Sequence, residues 1–253
     1  MIFRRRRSDS PSTPTSPSSA VSPDELEEYE DEDQYDEADL AEADADELGS
    51  GDSPVEYEDE WAELDASRDW REDGPFDVHE IDLEVDEVDR IDLGALIVTP
   101  EPGVGLQLVV DPATGQATTL RVVAAADAVM EVRLLAAPAK SGFVSELRRR
   151  LIEQTKAEKG RHQLLAGPFG TEIRRVVRMA QEDGVEASRQ VRDWLVAGPR
   201  WVLQARLLGR AAADTKAKGP AAELEEFFRN LIVRRGESAQ VPGSAIALTP
   251  PEA

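Results

Sequence analysis

Residues 198–208, Gly-Pro-Arg-Trp-Val-Leu-Gln-Ala-Arg-Leu-Leu, alternate in a way that suits an extended strand. Successive side chains of a strand point to opposite sides, so Trp201, Leu203, Ala205 and Leu207 share one face. Arg200, Val202, Gln204 and Arg206 share the other. One apolar and one half-polar face predict a sheet covered on one side only. Gly198-Pro199 ahead of the run reads as the tight turn that feeds it.

Turn residues cut the neighbouring sequence into similar pieces. Strands are expected at 104–110, 117–124, 128–136, 161–166, 171–179 and 187–196, with 91–98 opening the apolar region. Their separators carry Gly, Pro or Asp-Pro, and such short connections favour antiparallel neighbours. Ser141 suits a helix N-cap, and a helix is expected over 142–159, with Phe143, Val144, Leu147 and Leu151 on one side. Pro220 suits the first position of a second helix. There Leu224, Phe227, Phe228, Leu231 and Ile232 recur at helical spacing, and should pack on the face that holds Trp201. The expected fold is α+β: one twisted, mainly antiparallel sheet of about seven or eight strands with two helices packed on it.

Charge divides the chain before that sheet begins. Residues 24–65 hold 22 of the 52 acidic residues and no Lys or Arg, whereas 74–253 hold 26 acidic and 23 basic residues. Residues 8–23 are rich in Ser, Thr and Pro. Neither segment has enough apolar surface to offset the entropy of ordering. Residues 1–73 are therefore expected as a disordered, Ser/Pro-rich and acidic arm, 74–236 as the α+β domain, and 237–253 as a flexible tail. The chain has no cysteine, which excludes disulfides and thiolate metal sites, and only two histidines, His79 and His162. No cofactor is expected. No apolar run approaches the roughly 18 residues of a membrane span. No apolar segment of a signal peptide follows Arg4–Arg7, so the chain reads as cytoplasmic.

The runs DGPFD (73–77), RIDLGAL (90–96), GPFGTEIR (167–174), GPRWVLQARLLG (198–209) and VRRG (233–236) resemble an actinobacterial family of uncharacterised proteins. Members share a short basic start, an acidic segment and an α+β domain. The resemblance covers roughly residues 70–240, although 188–201 departs from the family's usual run before GPRW. It implies domain limits and no activity.

No phosphate loop, nucleophile elbow or HExxH motif is present. His162, at a strand start, and His79, beside Glu80 and Asp82, read as structural. Two constellations remain. All three tyrosines lie in the acidic arm with Trp61 and Trp70, and Tyr57, Trp61 and Trp70 are the candidate anchors for a basic protein partner. Arg148, Arg149, Arg174, Arg175 and Arg178, with Arg150, Arg189 and Arg192 near them in sequence, are candidates for an anion patch that the arm masks. Nucleic acid is disfavoured because the body is not basic. The chain therefore reads as a non-catalytic interaction protein. A small-molecule pocket on the sheet face, catalytic or not, and an arginine-based anion or nucleic-acid site are the alternatives.

Overall fold

The structure, a computed structural model, describes residues 61–85, 88–125, 127–139, 142–180, 186–214 and 219–251. Its centre is the strand that the alternation at 201–208 predicts. Strands β4 (Gly105–Val110), β5 (Ala117–Ala125), β6 (Ala128–Ala136), β7 (Arg161–Gly167), β8 (Gly170–Ala180), β9 (Glu186–Gly198) and β10 (Trp201–Gly209) form one sheet. Their order is β4-β5-β6-β10-β9-β8-β7, antiparallel throughout, with β10 in the middle. The turn into β10 is tight. Arg200 takes a φ of 62°, and a Cβ added at Gly198 would lie 2.1 Å from the Trp201 indole. Only a residue without a side chain lets the indole fold back over its own turn.

On the first face of this sheet, Trp201, Leu203, Ala205 and Leu207 are fully buried in one core cluster with Leu120, Val122, Met130, Val132 and Leu134. Helix α3 (Pro220–Arg229) brings Leu224, Phe227 and Phe228 into that cluster, as its spacing predicts, but it ends before Leu231, which joins the cluster from beyond the helix, and Ile232, which lies on a strand. Phe169 sits edge-on to Phe228, with ring centroids 4.9 Å apart, and 5.2 Å from Trp194. A short helix, α2 (Arg210–Ala213), buries Ala211 and Ala212 beside it.

The second face differs from the expectation of a sheet covered on one side. Helix α1 (Phe143–Ala157) lies there and packs Phe143, Leu147 and Ile152 on Leu135, Leu164, Ile173, Leu195 and Val202. The two long helices thus cover opposite faces. The cause is local: around the β9–β10 turn, Trp194-Leu195-Val196 and Trp201-Val202-Leu203 are apolar on consecutive positions, so both faces need cover there. Farther from that turn, on the same face, the residues become Gln204 and Arg206. The α1 cap also differs. Gly142, at a φ of 97°, is the N-cap, and Ser141 lies outside the described residues.

A second, smaller sheet joins the two ends of the domain, with β1 (Phe76–Asp77), β11 (Ile232–Val233), β3 (Leu96–Val98) and β2 (Ile91–Asp92) in that order. The apolar run 91–98 divides here into β2 (Ile91–Asp92) and β3 (Leu96–Val98). Strand β1 (Phe76–Asp77) pairs in parallel with β11 (Ile232–Val233). A 3-10 turn, Val78–Glu80, follows β1 and is held by a capping box between Asp77 and Glu80.

Both ends of the described chain lie on the body. The Ile246 and Leu248 amides donate to Leu134 and Ala117 carbonyls at 2.8 and 2.7 Å, and both side chains are buried. That segment occupies the gap left where β5 stops pairing with β6, which gives residues expected as a tail a docking position. Residues 61–66 are helical and belong to the same compact unit, Gly51–Ala253, so the expected arm overlaps the ordered body from residue 61. Among the described residues, no helix is long and apolar enough to cross a membrane.

Candidate functional site

Helix α1 covers only part of the second face, and the uncovered part is arginine-rich. Directly paired residues of an antiparallel sheet share a face. Register therefore aligns Arg121 of β5, Glu131 of β6, Arg206 of β10 and Asp193 of β9 in one row across four strands. Arg121 Nη2 donates to Glu131 at 2.9 Å. Asp193 is fully buried and accepts from Arg175 Nε and Nη2 at 2.8 and 2.6 Å on one oxygen. Its other oxygen accepts from Gln204 Nε2 and Arg206 Nε, each at 3.3 Å. Arg175 also donates to Thr155 Oγ1 of α1 at 3.3 Å.

This ladder floors a groove of about 230 Å³. Arg178 and Arg189 add two more guanidinium groups, Gln154 and Glu158 of α1 form a wall, and Val177, Val191 and Leu208 line the floor. Arg178 Nε donates to the Lys159 carbonyl at 3.1 Å, and Arg189 is exposed. A second groove of about 480 Å³ shares Arg178 and continues past Lys159, Arg161 and Ser188. The first groove's lining has five arginines and two glutamates, with no histidine, serine, threonine or tyrosine. Such a surface can hold an anion by charge and paired N–H donors.

The five arginine candidates are distributed over three places. Arg175 and Arg178 line the groove, joined there by Arg189. Arg174 lies on the opposite face, where its Nε donates to Glu172 at 2.8 Å. Arg192 joins it there, with Nε and Nη2 at 3.0 and 2.8 Å from Glu172. Arg148 is buried in α1 and pairs with Asp65, and exposed Arg149 pairs with Glu153 at 3.5 Å. Arg150 pairs with Glu146 on the same helix. Arg121 and Arg206 complete the groove. Alternation puts Arg206 on the half-polar face, but only strand order puts Arg121 two strands away in the same row.

The two described aromatic candidates, Trp61 and Trp70, are half-buried. Trp61 is half-buried against the cluster under α1. Trp70 donates to the Leu64 carbonyl at 3.1 Å, and the Arg68 guanidinium lies 3.8 Å from its ring centre. Tyr57 lies outside the described residues. His79 pairs with Asp77 at 2.7 Å, in place of the Glu80 or Asp82 that its sequence neighbours suggest. His162 is half-buried on β7, where burial and then the Lys156 charge push its imidazole below the ordinary value. Among the described residues, no group of three or more His, Asp or Glu side chains is arranged to hold a metal.

One family model, for a protein of unknown function, covers residues 74–253. No curated protein matches the chain. The solved structures similar to this chain include two at low identity. One, from Bacteroides thetaiotaomicron, is 9% identical with a TM-score of 0.35, over 60% of this chain and 50% of that one. The chain thus spans about half the length of that relative. The other is the solution structure of cyanobacterial PsbP (CyanoP) from Synechocystis, 12% identical with a TM-score of 0.34, over 59% of this chain and 95% of that one.

Proposed function

The chain belongs to the family Protein of unknown function (DUF3710), and we propose that its domain is a non-catalytic interaction module that binds anionic ligands on the uncovered half of its seven-stranded sheet. The observation that carries this is the groove in which Arg121, Arg175, Arg178, Arg189 and Arg206 converge from four strands, in a chain of formal net charge -23. The buried Asp193 and the half-buried Glu131 act as positioning groups. They hold Arg121, Arg175 and Arg206 in place; Arg175 is taken up by Asp193 and Thr155, and the half-buried Arg121 and Arg206 keep N–H groups for a ligand. Aliphatic Val177, Val191 and Leu208 beneath lower the local dielectric, which strengthens each charged contact. The large exposed hydrophobic residues among those described are valines, so no exposed aromatic platform supports base stacking. A carboxylate- or phosphate-bearing protein or metabolite is the ligand class this favours. With Trp61 and Trp70 both half-buried, the groove supports a contact surface better than the acidic segment does.

The test is fluorescence anisotropy with two labelled probes, a glutamate-rich peptide and inorganic polyphosphate. Binding of at least one probe is expected, weakening as salt rises from about 50 to 200 mM. The double variant Arg178→Glu/Arg189→Glu should weaken it by at least about tenfold, or 1.4 kcal/mol. Both side chains are exposed, so the fold should persist. Absence of binding to both probes, or unchanged binding by the variant, would overturn the proposal.

A second expectation concerns residues 1–60, which carry 21 acidic residues and four arginines. Like charge repels an anionic ligand as it approaches. Removing residues 1–60 should raise the association rate for the polyanion by about three- to tenfold at low salt, with little change above about 0.5 M. Stopped-flow mixing of the full and shortened chains reads this directly, and equal rates at low salt would exclude electrostatic exclusion by the segment.

A further inference from the structure

The carboxylate of Asp65 sits in a constellation of donors that is unusual for a single surface helix turn. Its Oδ1 accepts from the Thr171 amide at 2.8 Å and from Thr171 Oγ1 at 2.7 Å. Its Oδ2 accepts from Arg148 Nη2. Thr171 and Arg148 are 4% and 5% exposed, so these donors are built into the body, whereas Asp65 itself is half-exposed. The approach depends on Gly170, at a φ of 92°, where an added Cβ would lie 2.8 Å from Asp65 Oδ1. A backbone N–H, a hydroxyl and a buried guanidinium converging beside a glycine are the donor set of an anion site.

The occupant does not use all of that set. Arg148 Nε is buried and without a hydrogen-bond partner among the described residues. Nε and one terminal nitrogen form a single edge of the guanidinium fork, and a well-placed oxyanion takes both. Trp61 Nε1, on the same helical turn as Asp65, is also buried with no hydrogen-bond partner among the described residues. The turn at 61–66 is therefore held by the Asp65 contacts, which take the single Thr171 hydroxyl proton, and by the apolar packing of Trp61. A carboxylate has two oxygens for this site, whereas a phosphate has enough to satisfy Thr171 and both nitrogens of the Arg148 edge.

We propose that Thr171 and Arg148 form a phosphate-binding site that the chain's own Asp65 occupies as an internal stand-in. The ligand class is a phosphate group, free or as a monoester, that takes the position of the Asp65 carboxylate when residues 61–66 move aside. This site is separate from the sheet groove and does not rest on it.

Chemical rescue of the full-length chain tests the proposal. Asp65→Ala removes the stand-in and lowers the melting temperature. Inorganic phosphate, titrated at constant ionic strength against chloride, should then raise the variant's melting temperature by about 3–6 °C at tenfold excess over its apparent Kd. The wild type should shift less, because Asp65 competes. Adding Arg148→Met should abolish the rescue, and adding Arg178→Glu/Arg189→Glu should leave it intact. If Asp65→Ala does not fold, Asp65→Asn keeps the volume while turning an amide toward Arg148, and the same titration applies. Equal shifts in wild type and variant would overturn the proposal, as would rescue that survives loss of Arg148 or disappears with the groove arginines. Failure of both Asp65 variants to fold would do so as well, since the segment would then be a fixed part of the body.

Discussion

Replacing Glu172 by alanine is expected to destabilise the domain by about 3–5 kcal/mol, the usual loss when one partner of a buried ion pair is removed. Glu172 is 1% exposed and accepts four hydrogen bonds: from Arg174 Nε, from Arg192 Nε and Nη2, and from Trp194 Nε1 at 2.6 Å. Without the carboxylate, Arg192 stays buried with the Ala211 and Asp214 carbonyls as its acceptors among the described residues, directly across from Arg174 in the β8–β9 register. For a domain of this size the melting temperature should fall by about 6–20 °C. Replacing the pair together, Glu172→Met with Arg192→Met, should recover part of that loss because the buried Arg192 charge is gone, while half-buried Arg174 and the Trp194 N–H still lose their acceptor. A drop below about 1 kcal/mol in urea denaturation of the single variant would show that the carboxylate is not the keystone of this face.

The same group makes stability depend on pH. Burial alone would raise the Glu172 carboxyl, but the hydrogen bonds and charge of Arg192, with Arg174 and Trp194, outweigh it and hold it below the ordinary glutamate value of 4.5. A carboxyl depressed in the folded state contributes stability that is complete above its unfolded value. That contribution is lost as pH falls through the folded one. The wild type should therefore lose stability below about pH 4.5. The double Met variant should show a flatter acid slope.

Trp201→Ala should cost about 3–5 kcal/mol, as expected for emptying a fully buried indole site. The loss has two parts that Trp201→Phe separates. The indole fills the centre of the first-face cluster, and its Nε1 donates to Asp77 at 2.7 Å, tying the large sheet to the small one. Asp77 is 4% exposed. Burial tends to raise its carboxyl, but bonds from Trp201 and His79 hold it below the ordinary range. Phenylalanine keeps most of the volume and removes that donor. It should cost about 1–3 kcal/mol through the unsatisfied carboxylate. Denaturation midpoints of both variants measure the division. Equal losses would put the whole effect in the hydrogen bond.

Much of the architecture was legible because its signals are local. The β10 alternation, the i, i+3, i+4 spacing of Leu224, Phe227 and Phe228, and the Gly- or Pro-marked turns each depend on a few adjacent residues. The expected strands 117–124 and 128–136 match β5 and β6 to within a residue for that reason. The second helix face was less legible. Val202 and Leu195 stand out of alternation by a single position, too little to announce that α1 covers them. Residues 61–66 were hidden in a different way. Their composition matches the acidic segment before them, while their docking depends on Thr171 and Arg148, more than 80 residues away in the chain.

The candidate site divides along the same line. Sequence alone determined that the apolar face of β10 would be core, that the last helix would cover it, and that charge would be concentrated before the body. These follow from side-chain periodicity and composition, which neighbouring residues carry by themselves. Only the tertiary structure decided which arginines converge. Arg174 and Arg175 are adjacent in sequence yet lie on opposite faces, one held by Glu172 and the other by Asp193. Arg121 and Arg206 are 85 positions apart and share a row because β5, β6 and β10 are consecutive in the sheet. A strand's own sequence sets which residues share a side, but the order and register of its partners set who stands beside them.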